Sequence, residues 1–144
     1  MSMDSLIKKA LAKQPTVKPR TKRNAQPEAI EQAKVVAWAR ANENNYPFLW
    51  MLHSSLNGVK MTKAQAVRAI AQGMKKGVAD LFLPVKKGVY SGLYIEMKSE
   101  KGRTSIDQSK FLTAVSENDY LAHICYSAVE AIDKIKGYYN LSNF

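Results

Sequence analysis

Two carboxylates and one lysine have the types and spacing to act together in catalysis. Asp80 lies sixteen positions before Glu96, and Lys98 follows Glu96 by two. Two carboxylates that approach each other repel unless a cation neutralises them, and such hard oxygen ligands suit Mg²⁺ or Mn²⁺. A divalent ion held in this way can bind a phosphate oxygen and lower the pKa of a bound water. Lys98 could then orient that water or neutralise charge that develops on the phosphate.

This chemistry requires a strand pair that brings Asp80 to Glu96. The pattern predicts strands over Val78–Val85 and Gly92–Lys98, joined by a turn at Lys86-Lys87-Gly88 into an antiparallel hairpin. Side chains alternate along a strand, so Glu96 and Lys98 share one face, and Asp80 and Glu96 can converge near one end of the hairpin. The other interpretation is that Glu96 and Lys98 form the solvated face of an edge strand.

The flanking segments predict an α/β domain with a mixed sheet. Capping boxes start helices at Thr62-x-x-Gln65 and Ser105-x-x-Gln108, and Ser127-x-x-Glu130 starts the last helix. A crossover helix after the hairpin favours a parallel return strand. The pattern further predicts helices over 28–41, 63–72, 106–117 and 128–138. It also predicts a buried strand over Phe48–His53 and a strand over Tyr120–Tyr126. Trp38 and Trp50 are expected in the core.

Positive charge is concentrated at the start of the chain. The whole sequence has 22 lysines and arginines against 12 acids, a net charge of +10. Residues 1–27 contain seven of the basic residues and a single acid, Asp4, which gives +6. Basic segments attract polyanions such as nucleic acid. We therefore predict a flexible basic tail over residues 1–26 and a folded domain over residues 27–144.

Cysteine usage and apolar run length narrow the class of protein. Cys125 is the lone cysteine, which excludes an intramolecular disulfide framework and a cysteine-based zinc site. The longest apolar runs are far shorter than the ~20 residues of a membrane span. The composition therefore predicts an intracellular protein that does not act at a membrane.

Several short motifs, in this order, resemble the VRR-NUC nucleases of the PD-(D/E)xK superfamily. They are Glu28-Ala29-Ile30-Glu31-Gln32, His53 to Gly58, Gly77-Val78-Ala79-Asp80, Gly92 to Lys98, and Ser105-x-x-Gln108. The resemblance covers about residues 28–139. Ala79 departs from the pattern, because the family usually has proline there. The resemblance implies a restriction-endonuclease-like PD-(D/E)xK core, with a mixed central sheet flanked by helices.

The resemblance also implies roles for individual residues. Asp80, Glu96, Lys98 and Gln108 would be catalytic. The metal ligands would be Asp80, Glu96, the main-chain carbonyl of Met97, and Glu28 either directly or through water, with Glu31 as the other candidate on that helix. Contacts to nucleic acid would come from His53, Asn57, Lys60, Lys75 and Lys76, although a solvated helix explains the lysines equally well.

The resulting hypothesis is a Mg²⁺- or Mn²⁺-dependent DNA endonuclease that cuts structured DNA such as junctions or flaps. The resemblance further implies a homodimer that serves phage or mobile-element replication, recombination or repair in the cytoplasm of a bacterial or phage-infected host cell. The alternative is a non-catalytic nucleic-acid-binding protein on a nuclease-like fold.

Overall fold

The computed structural model describes residues 27–140, so the predicted basic tail over 1–26 lies outside the described residues. The elements are α1 (Pro27–Asn42), a 3₁₀ helix (Pro47–Met51), β1 (His53–Ser54), α2 (Lys63–Ala71), β2 (Leu81–Leu83), β3 (Gly92–Met97), α3 (Ile106–Ser116), β4 (Tyr120–Cys125) and α4 (Ala128–Tyr139). The strands form one mixed sheet in the order β1-β2-β3-β4. None of the helices in this part of the chain is long and apolar enough to cross a membrane.

The predicted antiparallel hairpin is present, but its first strand is shorter than expected. β2 pairs with β3 through Leu81↔Ile95 and Leu83↔Leu93. Pro84 follows β2 directly and has no N–H to donate to a ladder, which limits the strand at that end. At the other end the Asp80 carboxylate, rather than a backbone carbonyl, accepts the Met97 N–H at 2.7 Å. Backbone-to-backbone pairing of β2 with β3 therefore ends at Asp80.

The predicted crossover through α3 is also confirmed. β4 runs parallel to β3, with a register from Gly92↔Tyr120 to Met97↔Cys125. The Thr62 and Ser105 capping boxes are both formed, and each begins the helix that the sequence predicts. In each capping box the hydrogen bonds join residues three positions apart, so a four-residue motif is enough to predict where the helix begins.

The strand predicted over Phe48–His53 is wrong. Pro47 opens a 3₁₀ helix instead, and only His53 and Ser54 are extended. Leu49 is 1% exposed, whereas Trp50 is 70% exposed, so the run is not buried throughout and Trp50 is not a core residue. A continuous apolar run does not distinguish a short helix from a strand, because neither period is visible in it.

The two faces of the sheet carry different chemistry. The core face packs against α1 and α4. The buried apolar residues at this contact are Leu81, Leu83, Leu93, Ile95 and Met97 of the sheet, Val35 and Ala39 of α1, and Ala131 and Ile135 of α4. On the opposite face Phe82 stacks on Tyr94, which meets Phe111 of α3 edge-on. By strand alternation Glu96 lies on this α3 face, while Met97 lies in the core, as the sequence predicts.

A close approach at Gly77 joins the Asp80 segment to the start of α3. Gly77 has φ +90°, and a Cβ atom there would lie 2.6 Å from the main-chain carbonyl carbon and oxygen of Asp107. Gly58 has a similar φ of +83°, but a Cβ atom there would meet nothing within 4 Å. Alanine substitutions at the two glycines would therefore distinguish the free-energy cost of a left-handed backbone from that of a steric clash.

We predict that Gly77→Ala lowers the free energy of unfolding by roughly 2–5 kcal/mol, because it adds overpacking to backbone strain. Gly58→Ala should cost only the strain, roughly 1–2 kcal/mol. Urea denaturation followed by circular dichroism measures both values. Equal losses in the two variants would show that the Gly77–Asp107 approach is not tightly packed.

Candidate active site

Glu96 is a fully buried carboxylate on β3. Its side chain is 1% exposed, and its Oε1 atom accepts a hydrogen bond from Gln108 Nε2 at 2.6 Å. Lys98 Nζ lies 3.1 Å from the same oxygen, and Lys98 is itself 7% exposed. Within the described residues, Oε2 of Glu96 is buried without any hydrogen-bond partner. One carboxylate oxygen is therefore doubly bound, and the other is left available.

Asp80 lies beside Glu96 and is held from two sides. Its Oδ2 atom accepts the Met97 N–H at 2.7 Å, and its main-chain carbonyl accepts the Ser55 N–H at 3.0 Å. In an extended strand the N–H and C=O of one residue point to the same side. The Met97 carbonyl is therefore directed to the side of β3 on which Asp80 lies.

The carboxylates in this region influence one another's ionisation. The pKa of Glu96 is raised to about 7, first by burial and then by the charge of Asp80, while Lys98 and the backbone of Asp80 oppose the shift. The pKa of Asp80 is also raised, first by burial and also by the charge of Glu28, against the effects of the Met97 hydrogen bond and Lys98. The two strand acids are therefore difficult to ionise together without an added cation.

The two glutamates of α1 have different surroundings. Glu28 Oε1 accepts the Ser99 N–H at 3.1 Å, and Glu28 lines the same cavity as Asp80. Glu31 Oε2 instead accepts the Ala128 N–H at 2.7 Å, at the start of α4, and this hydrogen bond is the first cause of its lowered pKa. Glu28 therefore lies at the site. Glu31 instead caps the start of α4, where α1 packs against it.

The role of Ser99 in this arrangement is not visible in the sequence pattern. Its contribution is a main-chain N–H, which no side-chain pattern reveals. Gly102 supports the same contact, because a Cβ atom there would lie 2.9 Å from Ser99 Oγ and 3.2 Å from Glu28 Oε1. In the sequence, the feature that points to this contact is Gly102, four residues after Lys98.

Gln108 has two roles in the geometry. Its Oε1 atom accepts the Ser105 N–H at 2.8 Å and completes the capping box of α3. Its Nε2 atom donates to Glu96 at 2.6 Å. The start of α3 and the orientation of Glu96 are therefore fixed by one amide group.

The residues predicted to contact nucleic acid are dispersed around this centre. His53 is exposed, lines the cavity and has Nδ1 2.9 Å from the Met51 carbonyl oxygen. Asn57 donates its amide to the carbonyls of Val78 at 2.9 Å and Lys75 at 3.2 Å, so this group is used to join two loops. The lysines predicted to contact nucleic acid, Lys60, Lys75 and Lys76, are all exposed. The Nζ atom of Lys76 lies 3.7 Å from Asp107 Oδ2.

The donor set fits a divalent cation through a small number of ligands. Between residues 27 and 140 no group of three or more His, Cys, Asp or Glu side chains is close enough to hold a metal ion. The fit rests instead on Glu96 Oε2, which has no partner in the described part of the chain, and on the adjacent Asp80, with the Met97 carbonyl directed to the same side. A cation there would satisfy a buried oxygen and offset the repulsion between the two acids.

Comparison with known proteins agrees with this geometry. The family model described as the VRR-NUC domain matches residues 13–129. The structure of a protein named "VRR_NUC domain protein" is similar at 22% sequence identity with a TM-score of 0.69, over 84% of this chain and 94% of that chain. At this identity the likeness shows the fold, and it confirms the expected restriction-endonuclease-like core. A search of curated proteins finds no match.

We predict that metal-free protein loses stability as pH rises, because the folded-state pKa of Glu96, about 7, lies above the unfolded value of 4.5. The proton is then bound more tightly in the folded state, so this contribution is complete below pH 4.5 and is lost as pH rises through about 7. The expected loss is on the order of 3 kcal/mol, and the raised pKa of Asp80 acts in the same direction.

Urea denaturation in EDTA across this pH range measures the loss. Glu96→Gln, which is neutral and nearly isosteric, should flatten most of the dependence. A variant that lost stability with pH as steeply as the wild type would show that Glu96 is not the titrating group.

Proposed function

Because the chain belongs to the VRR-NUC domain family, whose members are nucleases, we propose that it is a DNA endonuclease that requires Mg²⁺ or Mn²⁺. The observation that carries the metal requirement is the buried Glu96 Oε2, which has no partner among the described residues although it lies beside a second acid. Leaving such a group unsatisfied costs free energy that a structural role does not repay. A cation-binding role explains it.

Asp80, Glu96 and the Met97 carbonyl would hold the ion. When bound, it would supply positive charge that stabilises the phosphate in the transition state and lowers the pKa of a bound water. Glu28, held by the Ser99 N–H on the wall of the cavity, would take part through water.

The neighbouring polar residues position this set. Gln108 binds one oxygen of Glu96, and the other oxygen, which has no partner between residues 27 and 140, would bind the ion. Lys98 Nζ, 3.1 Å from Glu96, can donate hydrogen bonds to the attacking water or to a non-bridging phosphate oxygen. Because both residues are bound to Glu96, their positions are set before substrate arrives.

We further propose structured DNA, of the junction or flap type, as the substrate. The sequence resemblance and the large cavity beside Asp80, about 700 Å³, support this choice. Phosphate contacts would come from His53, Lys60, Lys75 and Lys76, and from the basic segment 1–26. A role in phage or mobile-element replication, recombination or repair, in the cytoplasm of the host cell, accords with these features.

The test is cleavage of four-way junctions, flaps, single strands and duplex DNA in Mg²⁺ or EDTA. We expect cleavage of a structured substrate with Mg²⁺ and no cleavage with EDTA. We also expect the substitutions Glu96→Ala, Asp80→Asn and Lys98→Ala to lower the cleavage rate by about 100-fold or more. Absence of cleavage on every substrate, or full activity of Glu96→Ala, would refute the nuclease proposal. DNA binding without cleavage would favour the non-catalytic alternative.

The matched control for this experiment lies on α1. Glu28→Gln should lower the cleavage rate at saturating Mg²⁺, whereas Glu31→Gln should preserve the rate per folded molecule. Glu31→Gln should instead lower the free energy of unfolding by about 1 kcal/mol, because it weakens the cap of α4. The reverse pattern would assign the site to Glu31.

We also propose that the protein forms a homodimer through the outer edge of β4, which pairs with no further strand among residues 27–140. Lys98 N–H donates to the Cys125 carbonyl, so Cys125, His123 and Leu121 face β3, and the backbone groups of Tyr120, Ala122 and Ile124 face away. The strand contains no charged residue and no proline, which are the usual protections of an edge. Antiparallel pairing of two copies about Ala122 would satisfy these groups.

Ala122→Pro removes the central outward N–H without breaking a β3–β4 hydrogen bond, so it should preserve the monomer fold and abolish the dimer. Sedimentation velocity of the wild type, Ala122→Pro and the control Ala122→Ser measures this effect. A wild-type monomer, or a dimeric Ala122→Pro variant, would exclude this interface.

A further inference from the structure

Leu56 has an unusual backbone conformation on the wall of the cavity that Asp80 also lines. Its φ is +61°, in the left-handed region that costs a bulky residue free energy, and its side chain is 59% exposed. The strain persists because the neighbours of Leu56 are fixed. Ser55 N–H donates to the Asp80 carbonyl at 3.0 Å, and the Asn57 amide donates to the Val78 carbonyl at 2.9 Å. The loop is therefore bound to the segment that carries Asp80.

Leu56 forms part of an apolar wall in the cavity that also contains Asp80. Trp50 lines the same cavity and is 70% exposed, while its neighbour Leu49, at 1% exposed, anchors the 3₁₀ helix in the core. Arg40 lines this cavity as well, together with the acids Glu28 and Glu43. Two large, exposed apolar side chains thus line the same cavity as Asp80 and Glu28, which are proposed to take part in binding the metal ion.

The chemistry of this wall fits a nucleobase. In a paired duplex the faces of the bases are covered by their stacked neighbours, and the backbone exposes mainly phosphate and sugar. An unpaired base exposes an apolar π-face that stacks on an aromatic ring. Aliphatic side chains act as wedges that enter a base step and unstack it. Leu56 has the form of such a wedge, and Trp50 has the form of such a stacking surface.

We propose that Leu56 and Trp50 bind an unstacked nucleobase next to the scissile phosphate, so that the protein selects DNA with an unpaired or frayed nucleotide at the cleavage position. This inference rests on the proposed nuclease function and assigns its substrate class to particular residues. It also gives a reason for retaining the strained conformation of Leu56, since a relaxed loop would not hold this side chain beside Asp80.

The test uses the full chain and DNA that contains 2-aminopurine, a base whose fluorescence rises when it is unstacked. The probe is placed at an unpaired position of a branched duplex or within a fully paired duplex, and Ca²⁺ replaces Mg²⁺ so that binding is measured apart from cleavage. We expect the wild type to raise the fluorescence of the branched substrate. Leu56→Asn should remove this rise and weaken binding to that substrate by about tenfold.

Leu56→Asn is chosen because asparagine has nearly the size of leucine but tolerates the left-handed conformation, so the loop is retained. Binding of paired duplex should change by less than about twofold in this variant. The matched control is Val89→Asn in the turn between β2 and β3, where Val89 is 70% exposed and does not line the cavity. It should behave as the wild type on both substrates. Leu56→Met, which keeps an apolar side chain, should retain most of the fluorescence rise.

Equal binding of the branched substrate by wild type and Leu56→Asn would overturn the proposal, as would equal weakening on both substrates. Should Leu56→Asn fail to fold, Trp50→Leu replaces it, and an unchanged affinity for branched DNA overturns the proposal in the same way. Failure of the nuclease proposal remains distinguishable. Unstacking without cleavage supports the base contact alone, and cleavage with no effect of Leu56→Asn or Trp50→Leu supports the nuclease function alone.

Discussion

The hydrogen bond from the Met97 N–H to the Asp80 carboxylate connects the fold to the site. Over the preceding residues β2 and β3 pair backbone to backbone. At Met97 a side chain takes the place of the backbone acceptor, so the ladder ends and Asp80 is fixed at its end. Burial of Glu96 on the adjacent position of β3 then places two acids in mutual repulsion. The surrounding contacts support or compensate for this arrangement.

Compensation comes from two elements that are distant in sequence. α3 contributes Gln108, whose amide both completes a helix cap and binds Glu96. The close approach of Gly77 to Asp107 holds that helix start against the Asp80 segment. A buried acid with one unsatisfied oxygen reduces stability in the absence of a cation. Such a cost is commonly retained at a functional site, where the same oxygen binds a ligand.

The helix α1 shows how one element serves packing and chemistry at once. Glu28 and Glu31 lie less than one turn apart, yet Glu28 meets the Ser99 amide beside the cavity, and Glu31 meets the Ala128 amide at the start of α4. A position near the start of a helix, which suits an acid, therefore does not decide which acid reaches the site. The same limit applies to Asn57, whose amide joins two loops.

The sequence by itself determined the features that depend on nearby residues. The three helix caps, the β2–β3 hairpin, the parallel return of β4 and the pairing of Asp80 with Glu96 all follow from short-range hydrogen bonding, turn residues and strand alternation. Only the tertiary structure decided the division of labour between Glu28 and Glu31, the double use of Gln108, and the 3₁₀ helix that exposes Trp50. These depend on how the separate elements pack against one another. Residue types restrict such contacts, but only the packing of the elements selects among them.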